Sequence, residues 1–199
     1  MSETLKESAD RLMAVKGNVR GEKFRTHAAY INEREGDEGL RAIEKKMEEM
    51  GYPFKFEDVH SLTWYPVGYS PLIMILAKTL FNWTDKDILD MGYSAPKYSF
   101  LFKMALRWVI SVERTCKEAP KYWRKHYDFG QIEAVHVDTN KKQVVARLSG
   151  FKLDPIMCPY LQGYILRMLQ YVIKEEARVE ENKCIHKEDD YEEYIITWG

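Results

Sequence analysis

Cysteine is scarce in this 199-residue chain, and its number is odd: Cys116, Cys158 and Cys184. That excludes a disulfide scaffold and fits a reducing compartment. An excess of one charge is missing too. The 30 Lys and Arg are matched by 31 Asp and Glu, for a net charge of −1. The signs are interspersed, so no global field draws the chain to nucleic acid or to an anionic membrane. No apolar run is long enough to span a bilayer, and no leader with a charged start and apolar middle is visible. The expected location is cytoplasmic, without membrane insertion. Catalytic signatures are absent as well: there is no nucleophile elbow, no Gly-rich phosphate loop and no His-Glu-x-x-His. Acidic pairs such as Glu48-Glu49, Asp189-Asp190 and Glu192-Glu193 fall in charge-rich stretches expected to be solvated. Carboxylates there would make poor general acids. The chain is therefore not read as an enzyme.

Apolar residues are 45% of the chain, and 5 Trp, 13 Tyr and 8 Phe are enough for a core and for the walls of a pocket. Periodicity divides the chain in two. Helical spacing is expected over 22–34, broken at Gly36-Asp37-Glu38-Gly39, and again over 40–51 through Leu40, Ile43, Met47 and Met50. A mostly buried helix follows over 71–81. Thr84 is a good N-cap for a short helix that ends at Gly92. Further helices are expected over 96–112 and, after Pro120, over 121–127. Beyond Gly130 the pattern alternates. Strands over 131–138 and 143–148 form a hairpin, a helix covers 156–173, and strands cover 177–185 and 191–198. Gly163 lets another backbone approach that helix. The expected fold class is α/β of the α+β kind, an N-terminal helical half packed on a small antiparallel sheet of about four strands in ββαββ order. Residues 1–20 are expected to be a flexible or helical segment. The rest, 21–199, is one domain with a helical half over 21–128 and a ββαββ half over 129–199.

Two stretches carry a family likeness. One is Trp64-Tyr65-Pro66, an apolar helix, then Asp90-Met91-Gly92. The other runs from Ala119-Pro120-Lys121-Tyr122-Trp123 through Gly130 and the hairpin to Cys158, Gly163-Tyr164 and Glu181-x-x-Cys184. Together they span residues 35–198. The chain resembles the superfamily of ligand-binding domains shared by haem nitric-oxide-binding sensors, vinyl-4-reductase domains, phenol-sensing halves of bacterial transcription activators, and Golgi transport subunits. In the vinyl-4-reductase and phenol-sensor relatives, a Cys at a helix start, a Glu-x-x-Cys and a last Cys hold structural zinc. Cys158, Glu181 and Cys184 match the first three positions. No thiol occupies the fourth, so a possible structural zinc would take His186, or else Glu192. In a regular strand, side chains alternate, so Glu181 and Cys184 would point apart unless a bulge intervenes. The plainer reading makes both cysteines small core residues.

The haem-binding relatives use a proximal His and a Tyr-x-Ser-x-Arg group. The latter is absent here, and His60 and His27 are the axial candidates on offer, so the motifs disfavour haem. The phenol sensors place a His and a Trp around an aromatic ligand. His60 and Trp64 lie in a comparable region and share a face if helical. With Tyr98, Phe102 and Trp108 they are the expected pocket. The resulting expectation is a sensory domain that binds a small hydrophobic or aromatic ligand and signals through a homodimer or a partner protein. The alternatives are a protein-interaction or assembly module, or a tetrapyrrole-related binder or enzyme.

Overall fold

The computed structural model describes residues 3–105 and 110–199. Its elements run α1 (Leu5–Met13), β1 (Asn18–Arg20), α2 (Glu22–Glu49), β2 (Trp64–Pro66), α3 (Tyr69–Phe81), α4 (Asp85–Tyr98), α5 (Phe100–Ala105) and α6 (Val112–His126). Then come β3 (Gln131–Asp138), β4 (Gln143–Ser149), α7 (Met157–Gln170), β5 (Ala177–Lys183), a 3-10 turn (Ile185–Lys187) and β6 (Tyr191–Trp198). A helical half followed by ββαββ is the α+β arrangement expected from the sequence. The four strands are antiparallel in the order β3-β4-β6-β5. β4 and β6 form the centre, pairing Val144 with Ile196 and Ala146 with Tyr194. Side chains of a strand alternate between its faces, so Val144, Ala146 and Leu148 reach the core together, as do Tyr194 and Ile196. Glu192 shares that inward face with Tyr194, which is why an acid is buried there.

The helical half departs from expectation in three places. First, α2 is one helical run kinked at Gly36, whose φ of 67° needs a residue without a Cβ; the expected break over 36–39 is this kink. Second, α4 does not stop at Gly92. Its N-terminus is the expected one, with Thr84 and Asp87 capping each other's backbone. Gly92 lies inside the helix, where a Cβ would collide with the carbonyl oxygen of Tyr160 on α7. The glycine is there for close approach, not for a cap. Gly163 on α7 has the reciprocal role against Leu89, as the sequence suggested. Third, the helix expected over 96–112 is divided among the end of α4, α5 and the start of α6, with residues 106–109 outside the described set. The short helix expected over 121–127 is the last part of the 15-residue α6, which starts at an Ser111 cap and continues through Pro120. Its buried stripe is Val112, Thr115, Cys116 and Trp123, a helical spacing hidden by flanking charges.

The N-terminal segment is helical. Thr4 and Glu7 form a capping box, and Ala9 and Leu12 are fully buried. β1 pairs with β2 in a separate two-stranded ribbon, and Val19 also bridges to Tyr127 at the end of α6. One continuous apolar core joins the helices to the sheet.

Candidate ligand chamber and metal cluster

A small chamber of about 50 Å³, mostly apolar but with a few polar groups in its wall, lies where the start of α2 meets the ends of α4 and α6 and the start of α7. Lys23 enters it from the first turn of α2. The side chain is only 8% exposed. Its Nζ sits 3.4 Å from the centroid of the Tyr160 ring and 5.9 Å from that of Tyr127. Those ring faces are the only electrostatic partners it finds among the described residues. Burial drives its pKa well below the usual lysine range. His126, the last residue of α6, faces the same space. Its Nε2 is buried without a hydrogen-bond partner, and burial, aided by the charge of Lys23, lowers its pKa to about 3. The imidazole is therefore neutral near pH 7.

Several other polar groups of the chamber are already engaged. The Oε1 of Glu22 accepts from the backbone N–H groups of Phe100 and Leu101. Thr26 donates to the carbonyl of Lys23 at 2.7 Å, and Ser99 Oγ accepts from the N–H of Phe102 at 3.0 Å. The Tyr164 hydroxyl donates to that of Tyr122 at 3.1 Å, and burial pushes the Tyr122 phenol up to about 12. The phenols are thus neutral. A second void, apolar and about 120 Å³, lies between α6, α7 and the β3–β4 hairpin. Cys116, Val144, Ile165 and Leu169 line it, and it shares Tyr122, Trp123, Leu161 and Tyr164 with the chamber. An apolar cavity near this size stays dry and accepts a benzene-sized guest.

The second assembly lies at the opposite face of α7. Cys158 at its start, Glu181 on β5, Cys184 just beyond β5 and Glu192 on β6 each offer a ligand atom, all within 4.8 Å of one another. The two Sγ atoms are 3.8 Å apart, and Cys158 Sγ lies 3.8 Å from Glu192 Oε1. A tetrahedral zinc with Zn–S bonds of about 2.3 Å separates its sulfurs by roughly 3.8 Å. The alternation objection is resolved by a bulge: the β5–β6 register shifts between Glu181 and Lys183, re-aiming the chain so that Glu181 and Cys184 converge. Oε1 of Glu181 and Oε2 of Glu192 are buried without partners. Burial, and then the charge of Glu181, raises Glu192 to about 7. Burial and the Glu192 carboxylate push the Cys158 thiol far up. This corrects the expectation of a solvated Glu192-Glu193: Glu192 is 2% exposed, and buried Glu193 pairs with Arg147 at 3.0 Å.

His186 is not in this set. It belongs to the 3-10 turn and opens onto a surface groove with Arg11, Lys152 and Asp154. Of the described residues expected to line the pocket, none lines either void. His60 is exposed in a loop and Trp64 is 37% exposed on β2, with the Arg20 guanidinium 3.8 Å over its ring. They share no helical face, because Trp64-Tyr65-Pro66 pairs with β1 as a strand. Tyr98, at the end of α4, hydrogen-bonds Glu33 at the surface. Phe102 is buried against Tyr171 and Tyr122, one layer from the chamber. Trp108 lies outside the described residues. His27 is fully buried, packs on Tyr160 and leaves both ring nitrogens without partners.

No family model matches the chain. No curated protein matches it either. Solved structures do. An H-NOX protein from S. oneidensis in the Fe(II)NO state superposes with a TM-score of 0.67 at 14% identity, over 90% of this chain and 99% of that one. An H-NOX protein from K. algicida, Fe(II) and unliganded, gives 0.63 at 11%, over 90% and 96%. An oxygen-binding H-NOX domain related to soluble guanylate cyclases gives 0.59 at 13%, over 87% and 91%. The chain has the fold of the haem nitric-oxide- and oxygen-binding domains. This corrects the expectation that disfavoured haem. That expectation rested on missing haem motifs and on histidines read as structural, whereas these structures, an Fe(II)NO protein and an oxygen complex among them, share the architecture over nearly the whole chain.

Proposed function

We propose that this chain is a sensory ligand-binding domain whose ligand occupies the chamber between α2, α4, α6 and α7. The observation that carries this reading is the pair of buried Lys23 and half-buried His126, whose Nε2 is itself buried, around a void and without polar partners among the described residues. Natural interiors rarely leave such groups unpaired unless they serve something else. The donor set suits haem: His126 offers a free Nε2, and Lys23 offers a cation for a propionate. When bound, haem would supply an iron centre able to take a diatomic gas. A porphyrin is far larger than a 50 Å³ void, so haem occupancy entails an opened chamber. A second reading, a small aromatic or hydrophobic molecule, is favoured by the adjoining apolar cavity. No catalytic step is assigned to either, and output through a homodimer or a partner protein belongs to the same proposal.

Reconstitution with haem tests the first reading. Stoichiometric uptake with an intense visible absorption band, lost in His126→Ala, is the expected result. A thermal-shift screen of aromatic compounds tests the second. Flat results in both would end the chamber reading.

At the start of α7 we propose a structural zinc held by Cys158, Glu181, Cys184 and Glu192. Two orphaned carboxylate oxygens and the sulfur spacing support it. Elemental analysis should find about one zinc per chain, and Cys184→Ser or Glu192→Gln should abolish it. Metal-free wild type after growth in zinc would refute the site.

A further inference from the structure

We propose that the chamber recognises a carboxylate, with Lys23 as its counter-ion and His126 as a second hydrogen-bonding partner, while the apolar part of the ligand extends toward the cavity beyond Tyr122 and Tyr164. This rests on the chamber reading and names the ligand's reactive end. The wall carries one buried amine and one buried imidazole nitrogen, and no hydrogen bond links either to an acceptor among the described residues. Lys23 is buried against the ring faces of Tyr160 and Tyr127, and its Nζ makes no hydrogen bond or ion pair among the described residues. The neighbouring acid, Glu22, lines the chamber but gives its Oε1 to the N–H groups of Phe100 and Leu101. The Nε2 of His126 stands unpaired on the same wall. A buried amine without a polar partner costs stability, and a chain that retains one gains the most from a ligand that supplies the missing negative charge.

The apolar end is equally defined. Trp123 and Leu161 border both voids, and beyond them Val144, Ile165 and Leu169 offer only hydrocarbon. A small acid with an aromatic or short aliphatic body matches this polarity. So does one propionate of haem, since both present a carboxylate on an apolar frame. On entry the acid's proton passes to the Lys23 amine, giving an ammonium–carboxylate pair with no net change in charge. That pair is worth more in this dry site than at the surface.

The test is calorimetric and spectroscopic, on the full chain. Benzoate and hexanoate are compared with benzamide and hexanol, and haem with its dimethyl ester, on wild type and Lys23→Met. Met matches the length of the lysine stem and removes a buried amine that lacks a polar partner, so the variant should fold; unchanged near-ultraviolet circular dichroism checks this. His126→Phe serves as a second variant. If the ligand is a small acid, benzoate or hexanoate binds wild type and loses roughly 30-fold or more in Lys23→Met, while the uncharged analogues bind both proteins alike. If the carboxylate comes from haem, free haem shows that loss and the dimethyl ester does not. Acids binding Lys23→Met as tightly as wild type, or no better than their uncharged analogues, would overturn the inference and leave the chamber reading standing. No binding in any arm would remove both.

Discussion

Lys23 is the residue where stability and function pull apart. Its burial without a polar partner makes Lys23→Met stabilising, by about 1–3 kcal/mol in urea unfolding; a destabilised variant would mean that the amine has a structural partner. His126 sets a pH dependence. Its pKa is about 3 in the fold against an ordinary 6.5, so the unfolded chain binds the extra proton. The group's contribution is complete above pH 6.5 and is lost as pH falls toward 3, by about 1.4 kcal/mol per unit. Lys23, Glu22, Tyr122 and Tyr164 share its chamber, and the buried Lys23 amine, its pKa also held down by burial, takes up acid in the same direction. Unfolding curves at pH 7, 6 and 5 should therefore weaken stepwise, and His126→Gln should flatten the trend. Neither residue was legible in the sequence. Lys23 sits in a stretch of mixed period, and His126 ends the run Arg124-Lys125-His126, which reads as a wet face. Of the residues named for a pocket from the aromatic composition, His60 falls in a loop and Trp64 on a strand, so the helix that would have put them on one face is not there. Glu192 was closer to legible, because Glu192, Tyr194 and Ile196 alternate and the last two are plainly core.

The α4–α7 crossing organises the helical half. Gly92 and Gly163 put each backbone against the other's carbonyls, at Tyr160 and Leu89. Gly92→Ala and Gly163→Ala should each cost about 3 kcal/mol, since backbone cannot give way as a side chain does. Thermal unfolding of the two variants checks this, and a loss below about 1 kcal/mol would show that the helices slide apart easily. A glycine signals only that a Cβ is unwelcome. Whether the reason is a cap or a crossing depends on the partner, which is why Gly163 was read correctly and Gly92 was not. The ββαββ half, by contrast, followed directly from alternation and turn residues. α6 was underestimated because Pro120 reads as a helix start, yet the spacing of Val112, Cys116 and Trp123 continues through it.

Among the described residues no helix is long and apolar enough to cross a membrane. The molecule instead presents two interior stations on one helix. Cys158 opens α7 at the metal cluster, and Tyr160, Leu161 and Tyr164 follow within two turns as walls of the chamber. Chelation should lower the melting temperature by roughly 5–10 °C, and calorimetry with and without chelator measures it. The shared helix has one more consequence. An ion bound at the Cys158 end would clamp its first turn to the last two strands and act as a fulcrum: a guest shouldering Tyr160 and Tyr164 aside would tilt the rod rather than shift it, turning occupancy inside the domain into leverage at its rim.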